Sequence, residues 1–223
     1  VTKRRALILL GGMWHDFDGF AHSISPLLET AGWQVENSYD LEHLTRLDDQ
    51  PYDLVLNYTC FEKHREGLEN SGPEAMSDAQ IEGLTRWVRG GGAFLSAHAA
   101  SVRGGSGPGL GELTGGFFVE HSPAFVFSVY PVYPPHAITA GIGAFAVYDE
   151  MYIEQCDSSV NVHMLAVEGG MAYPLAWSKS EGRGRVAHIA LGHSEAVWEL
   201  ESYRRLMLQT IGWLTAQGTE SQT

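Results

Sequence analysis

Three short runs near the start of the chain, Arg5 to Leu10, Trp33 to Tyr39 and Tyr52 to Tyr58, constrain the fold more than any other feature, because each has the form of a buried strand. Between the first two lies Ser25-Pro26-Leu27-Leu28-Glu29-Thr30-Ala31-Gly32, a helix with proline near its start and glycine at its stop. A strand, a helix and a second strand in that rhythm predict parallel pairing, since parallel neighbours need a crossover connection. The pattern then repeats. Ser77-Asp78-Ala79-Gln80 is a capping box that opens a helix with Ile81, Leu84 and Val88 on one face and a stop at Gly90. The next stretch, GGAFLSAHAA (Gly91 to Ala100), reads as a buried strand that ends on small residues around His98, a composition that permits a tight strand-to-helix turn.

Beyond Ala100 the rhythm changes to a glycine-rich loop, Gly104 to Gly116, followed by apolar runs at Ala124 to Val129 and Gly143 to Val147 that read as inserted strands. Val162 to Val167 and Arg185 to Leu191 read as later strands. The last helix sets Val197, Leu200, Tyr203, Met207, Ile211 and Leu214 on one face at steps of three and four. With 223 residues, 44% of them hydrophobic, and no internal repeat, the expectation is one domain over 1–216 and a disordered tail at 217–223.

Charge narrows the partners. The net charge of −13 repels phosphate backbones and anionic lipid surfaces, so nucleic acid and membrane are not expected partners. Val1-Thr2-Lys3-Arg4-Arg5 before Ala6-Leu7-Ile8-Leu9-Leu10 has the charge order of a signal peptide, but Gly11-Gly12 cuts the apolar run short, and no segment has the apolar length to cross a bilayer. Cys60 and Cys156 lie far apart and outside any CxxC spacing, which points to a reducing, cytoplasmic setting, with an exported form that lost its leader as the alternative. There is no Walker loop, and Gly104-Gly105-Ser106-Gly107 lacks the context of a dinucleotide fingerprint, so no nucleotide cofactor is expected. No serine or cysteine stands in a G-x-S-x-G elbow.

Ten histidines leave room for chemistry, and placement decides which matter. In a parallel sheet His15, His98 and His193 follow strands whose ends share one edge, where α/β folds bind ligands, so these three are expected to converge. His121 and His136 sit in loops after Gly115-Gly116-Phe117-Phe118 and Pro134-Pro135, whereas His22, His43 and His64 read as solvated surface groups. His98 alone fits a satisfied core histidine equally well. In Tyr148-Asp149-Glu150-Met151-Tyr152 the adjacent carboxylates repel, and in a cleft one would carry a raised pKa suited to proton exchange; a solvent-facing acidic loop is the plainer alternative. Gly182-Arg183-Gly184-Arg185 fits an anion site or a hairpin turn.

Taken together, His15-Asp16, GGGAFLSAHAA, LTGGFFVEH, PPHAITAGI, YDEMY, YPLAW and GRGRVAHIALGH resemble the ThuA-like (trehalose utilisation) family, in family order and over essentially the whole chain. The resemblance implies an α/β domain of the class I glutamine amidotransferase-like superfamily: a flavodoxin-like three-layer sandwich with a mainly parallel central sheet. Those amidotransferases carry a cysteine nucleophile on the elbow after the central strand and a His-x-Glu pair after a late strand. Here His98 stands at the nucleophile's place and His193-Ser194-Glu195 resembles the pair. An imidazole cannot replace a thiolate in a thioester cycle, so the resemblance implies no glutamine amidotransferase activity.

It implies instead a sugar substrate, trehalose or a related glycoside, in a family associated with dehydrogenases that oxidise a sugar at carbon three. A ketone at carbon three makes the carbon-two proton acidic, and its removal permits elimination of the glycosidic oxygen from carbon one. Glu150 or Asp149 is then expected as base, His193 held by Glu195 as acid or ligand, and His98 and His121 as ligands or oxyanion donors. The expected metal ligands are His98, His121 and His193, for zinc or manganese. Trp14, Tyr152 and Trp177 are expected to stack on sugar, with His15 and Asp16 beside them. Gly12-Met13-Trp14-His15-Asp16-Phe17 is bulkier than the family pattern, so the sugar need not be trehalose. Two rivals stand beside this reading: a non-catalytic sugar-binding or regulatory module, which would tolerate His98→Ala, and an amide-acting relative of the amidotransferases, which would need a reactive thiol at Cys60 or Cys156. A homo-oligomer is compatible with any of them.

Overall fold

The computed structural model describes residues 3–62 and 72–216. His64 and the 217–223 tail lie outside the described residues. The chain alternates β1 (Arg4–Gly12), α1 (Phe17–Thr30), β2 (Trp33–Ser38), β3 (Leu54–Cys60), α2 (Asp78–Arg89), β4 (Ala93–Ala97) and α3 (Gly109–Thr114). It continues through β5 (Gly116–His121), β6 (Phe125–Pro131), β7 (Phe145–Asp149), β8 (Tyr152–Cys156), β9 (Asn161–Glu168), β10 (Met171–Glu181) and β11 (Gly184–Ile189), and ends in α4 (Glu195–Trp198) and α5 (Glu201–Leu214).

One nine-stranded sheet runs in the order β2-β1-β3-β4-β11-β10-β9-β6-β7. From β2 to β11 every pairing is parallel, and from β11 to β7 every pairing is antiparallel. The sheet is therefore mixed rather than mainly parallel. The physical reason lies in the connections: β3, α2 and β4 are joined by a crossover, whereas β10 returns to β11 through the tight Gly182-Arg183 turn, which allows only an antiparallel neighbour. The two runs read as insertions are β6 and β7, which extend this same sheet. A separate antiparallel pair, β5 and β8, lies outside it.

The alternation of β1 shows how the sheet is buried. Ala6, Ile8 and Leu10 belong to one apolar cluster with Phe20 and Ile24 of α1 and Leu206 and Met207 of α5, while Leu7 and Leu9 belong to another with Leu84 and Val88 of α2. Side chains that point to opposite faces of a strand thus both meet helix, and burying each leucine is worth roughly 1.5–3 kcal/mol. The capping box forms as read, with the Ser77 hydroxyl accepting from the Gln80 N–H and the Gln80 side chain accepting from the Ser77 N–H. The first helix is longer than expected. It starts at Asp16, whose carboxylate accepts from the Gly19 N–H, and Pro26 falls inside it rather than near its start.

Candidate functional site

Parallel pairing of β1, β3, β4 and β11 puts the carboxyl ends of these strands on one edge, and the loops leaving them build a single cleft of about 600 Å³. Trp14 and His15 come from the β1 to α1 loop, Glu150 from the turn between β7 and β8, and His193 from the loop after β11, with His98, wholly buried at the end of β4, beside them. His15, His98, Glu150 and His193 each bring one donor atom to within 4.8 Å of the others. The ring centroids of the three histidines stand 5.0 to 5.6 Å apart.

Local structure sets the state of each ring. His98 has φ +44°, a left-handed conformation uncommon outside glycine, and it follows β4 directly into a short 3₁₀ turn. That turn aims the ring back across the strand ends, and the neighbouring Ala97, Ala99 and Ala100 are small enough to be wholly buried around it. Nδ1 of His98 is 2.6 Å from the Ala190 carbonyl, and Nδ1 of His15 is 3.0 Å from the Met13 carbonyl. A carbonyl oxygen only accepts, so both Nδ1 atoms carry hydrogen and both Nε2 atoms keep their lone pairs. Those two Nε2 atoms are buried without a hydrogen-bond partner. Burial holds His15 down at about 4 and His98 well below the usual histidine value, with neighbouring histidine charge adding to both, so the two rings are neutral near pH 7.

The other half of the cluster pairs an imidazole with a carboxylate. Nδ1 of His193 is 3.2 Å from Oε2 of Glu150, and interaction with that carboxylate raises the His193 pKa against its partial burial. Burial pulls the Glu150 carboxyl upward, but the hydrogen bond and charge of His193, with the charges of His121 and His15, hold it below the usual glutamate value. His121 is 3.7 Å from the other Glu150 oxygen, at the cleft mouth, and its side chain is 41% exposed.

Asp149 has a different place from its neighbour. It is buried and accepts from the backbone N–H groups of Gly192 at 2.8 Å, His193 at 3.1 Å and Glu150 at 3.0 Å. One carboxylate therefore ties the Glu150 turn to the His193 loop. Burial raises its pKa to about 6 although all three hydrogen bonds oppose the shift. The Tyr58 hydroxyl and the Trp198 indole N–H both donate to the Gly192 carbonyl at 2.9 and 2.6 Å, which fixes the same loop from below.

The remaining expected residues divide. Tyr152 is buried with its ring 4.1 Å from that of His98, and it lines the cleft; Trp14 stands at the rim, half exposed, with φ +71° and its indole N–H on the Glu62 carboxylate. Asp16 caps α1 instead of facing the cleft, and Trp177 is core, donating to the Thr114 carbonyl and lying against His188. Glu195 is exposed at the first residue of α4, and the carboxylate against His193 is Glu150. His136 lies against His163, away from the cleft, and Gly182-Arg183 is the hairpin turn between β10 and β11. The sequence reading gave no site role to Phe61, Glu62, Val102, Gly104 or Phe118, which line the cleft, and weighed Cys60, which lines it too, only as a reactive thiol. The signal for Cys60 was available, since it ends β3 on the same edge as His98. Burial pushes its thiol up to about 12, which leaves it protonated and a poor nucleophile.

Solved structures share this fold. A ThuA-like protein from Parabacteroides merdae aligns with TM-score 0.77 and 15% identity over 98% of this chain and 92% of its own. Another from Bacteroides uniformis aligns with TM-score 0.74 and 15% identity over 97% and 93%. A β-galactosidase from Rahnella sp. aligns over 96% of this chain but only 31% of its own, with TM-score 0.63 and 14% identity. No functionally curated protein matches the chain in sequence. The family model for trehalose utilisation matches residues 5–214, from the first strand to the last helix, and the chain therefore belongs to the ThuA family, which ties it to sugar metabolism.

Proposed function

We propose that the protein is a cytoplasmic sugar-processing enzyme, acting on a glycoside or keto-sugar, whose cleft holds a divalent metal such as zinc or manganese through His15, His98, His193 and Glu150. One observation carries the metal: two buried imidazole Nε2 lone pairs, their tautomers set by carbonyls behind them, lack protein partners and sit within 4.8 Å of a carboxylate oxygen and a third imidazole. A buried acceptor without a partner costs roughly 1–3 kcal/mol, and a cation removes that cost at both rings at once. Imidazole with carboxylate suits zinc and manganese alike. His15 replaces His121 in the expected ligand set, because His121 reaches Glu150 from the solvent side.

When bound, such a cation supplies Lewis-acid stabilisation of negative charge on a sugar oxygen. The chain's own residues supply the rest. Trp14 offers a half-exposed ring at the rim for a sugar face, and Phe118 and Tyr152 line the same cleft. Asp149 holds Glu150 and His193 in register through its backbone hydrogen bonds. His121, exposed to water and next to Glu150, can take a proton from carbon two of a 3-keto-glycoside and return it to solvent; the electron pair left on carbon two forms a double bond to carbon one as the glycosidic oxygen leaves and takes a proton from water. The test is incubation with a 3-keto-glycoside in deuterated water. Release of the aglycone sugar with loss of the carbon-two hydrogen, and at least a 100-fold slower reaction in Glu150→Gln, is expected. Binding without turnover would replace the enzyme with a sugar-binding module.

A further inference from the structure

Among the described residues, six of the twelve buried side-chain atoms that lack a hydrogen-bond partner belong to four residues outside the cleft: both amide atoms of Asn57, the Thr59 hydroxyl, both carboxylate oxygens of Glu154 and Nε2 of His188. Their common origin is a polar row in the sheet. Val55, Phe94 and Val186 pack in the apolar cluster on the α2 side, and Asn57, Ser96 and His188 stand two residues later on the same three strands, hence on the same face. Register sets Asn57 beside Ser96 and Ser96 beside His188, and Thr59 takes the next position of β3 on that face. Asn57, Ser96 and His188 are wholly buried. Glu154 of β8 reaches the row with Oε2 3.2 Å from Nε2 of His188, and the Trp177 ring, 4.4 Å from that of His188, packs beside it.

Glu154 is treated unlike the other buried carboxylate. Asp149 accepts three backbone N–H groups. Glu154, with no side-chain exposure, accepts no hydrogen bond, and among the described residues neither Lys nor Arg pairs with it. His188 is close, yet the contact lacks hydrogen-bond geometry, for Nε2 and both oxygens stay unpaired. A buried carboxylate needs donors or a positive charge, and six unpaired atoms together would cost about as much as the net stability of a whole domain.

We propose that this cluster is a binding site for one alkali cation, sodium or potassium, anchored by the Glu154 carboxylate and completed by oxygens of Asn57, Thr59 and Ser96, directly or through water. The donor set selects the ligand. A carboxylate, an amide carbonyl and hydroxyls are the oxygen ligands that hard cations take, and the single imidazole, without a thiolate, does not favour a transition metal. One carboxylate balances one positive charge, whereas a divalent ion would leave net charge buried in the core. Glu154 follows Tyr152 by two residues on β8, and the Tyr152 ring lies against His98, so an ion here would also steady the wall of the cleft.

The test is thermal unfolding of the full chain in sodium, potassium or choline chloride at one ionic strength. An ion that binds the native state alone raises the midpoint, by about 3–6 °C at roughly ten times its dissociation constant. Sodium or potassium is expected to do so relative to choline in the native protein and in Glu150→Gln, and not in Glu154→Gln. A measurement on the native chain covers the case in which Glu154→Gln does not fold: crystals grown with thallium(I) acetate should show an anomalous scattering peak against the Glu154 carboxylate. The proposal is overturned by a midpoint indifferent to the alkali ion, by a shift that survives Glu154→Gln or vanishes in Glu150→Gln, or by magnesium or calcium stabilising in place of the alkali ions. Crystals with ordered water alone beside Glu154, and no thallium, overturn it too.

Discussion

Asp149 concentrates more of the site's order than any group that faces the cleft. Its two oxygens accept three backbone N–H groups, and an amide in its place keeps one accepting oxygen and puts two donors against backbone donors. Asp149→Asn is expected to lower stability by about 1–3 kcal/mol in urea unfolding and to weaken zinc binding by at least tenfold, since Glu150 and His193 lose their common tether. Unchanged zinc affinity would show that the tether does not position the donors. Much of this site was legible at the residue level. The reading that strand ends converge placed His15, His98 and His193 together, because that inference depends on sheet direction alone. The split between Asp149 and Glu150 was not legible, because adjacent residues in a turn differ only in which side chain faces the backbone of a loop distant in sequence. Likewise nothing in the order His193-Ser194-Glu195 reveals that Glu195 starts α4 and faces outward.

At the scale of elements, helices with local stop and start signals were readable, and in the hairpin half of the sheet β6, β7 and β9 were read as strands while β10 was not. The capping box at Ser77 is local, and Ser77→Ala is expected to cost about 1 kcal/mol, measured as a shift in the denaturation midpoint. The start of α1 was equally local: Asp16 caps it, and Phe17, Phe20, Ala21, Ile24 and Leu28 follow at helical spacing, a signal that Pro26 obscured by resembling a first-turn proline. β10 went unread because its eleven residues mix a proline, a lysine and two serines with apolar positions. Its neighbours explain the tolerance. Trp177 and Ser178 are buried, and the small β5–β8 sheet is joined to this region through Glu154, whose carboxylate is 3.2 Å from His188 with no exposure of either side chain. His188 also meets the Ser96 hydroxyl at 2.9 Å. Removing the carboxylate leaves the buried His188 ring nitrogen facing a void, so Glu154→Ala should lose about 1–3 kcal/mol, readable by calorimetry. A loss under 1 kcal/mol would mean that the pair contributes little to joining the two sheets.

For the whole molecule, the buried histidines make stability depend on pH with a definite sign. His15, His98 and His163 all have pKa values lowered by burial, His15 and His163 to about 4, so between that value and about 6.5 the unfolded chain binds protons that the native state refuses. Their contribution is present above pH 6.5 and is lost as pH falls. Asp149, raised to about 6 by burial, and His193, raised by Glu150, have the opposite sign and offset part of this, while His136, lowered by burial, adds to it. Each unbalanced proton is worth about 1.4 kcal/mol per pH unit. Unfolding free energy should therefore fall steadily from pH 7 to pH 5, and a flat profile would mean the rings are protonated in the native state. The α/β class and the parallel half of the sheet followed from the sequence because crossover rhythm is a chain-length property. The antiparallel half depended on the strand order, which no single segment encodes.

The account's central claim is the metal, and its most direct test is elemental mass spectrometry of protein purified without a tag or added metal, beside folded His98→Ala and His193→Ala. Close to one zinc or manganese per chain in the native protein, and at least a tenfold loss in both variants, is the predicted result. A native protein that is metal-free and takes up neither zinc nor manganese on titration would contradict it, and would leave the His193–Glu150 pair as the chemistry of the cleft.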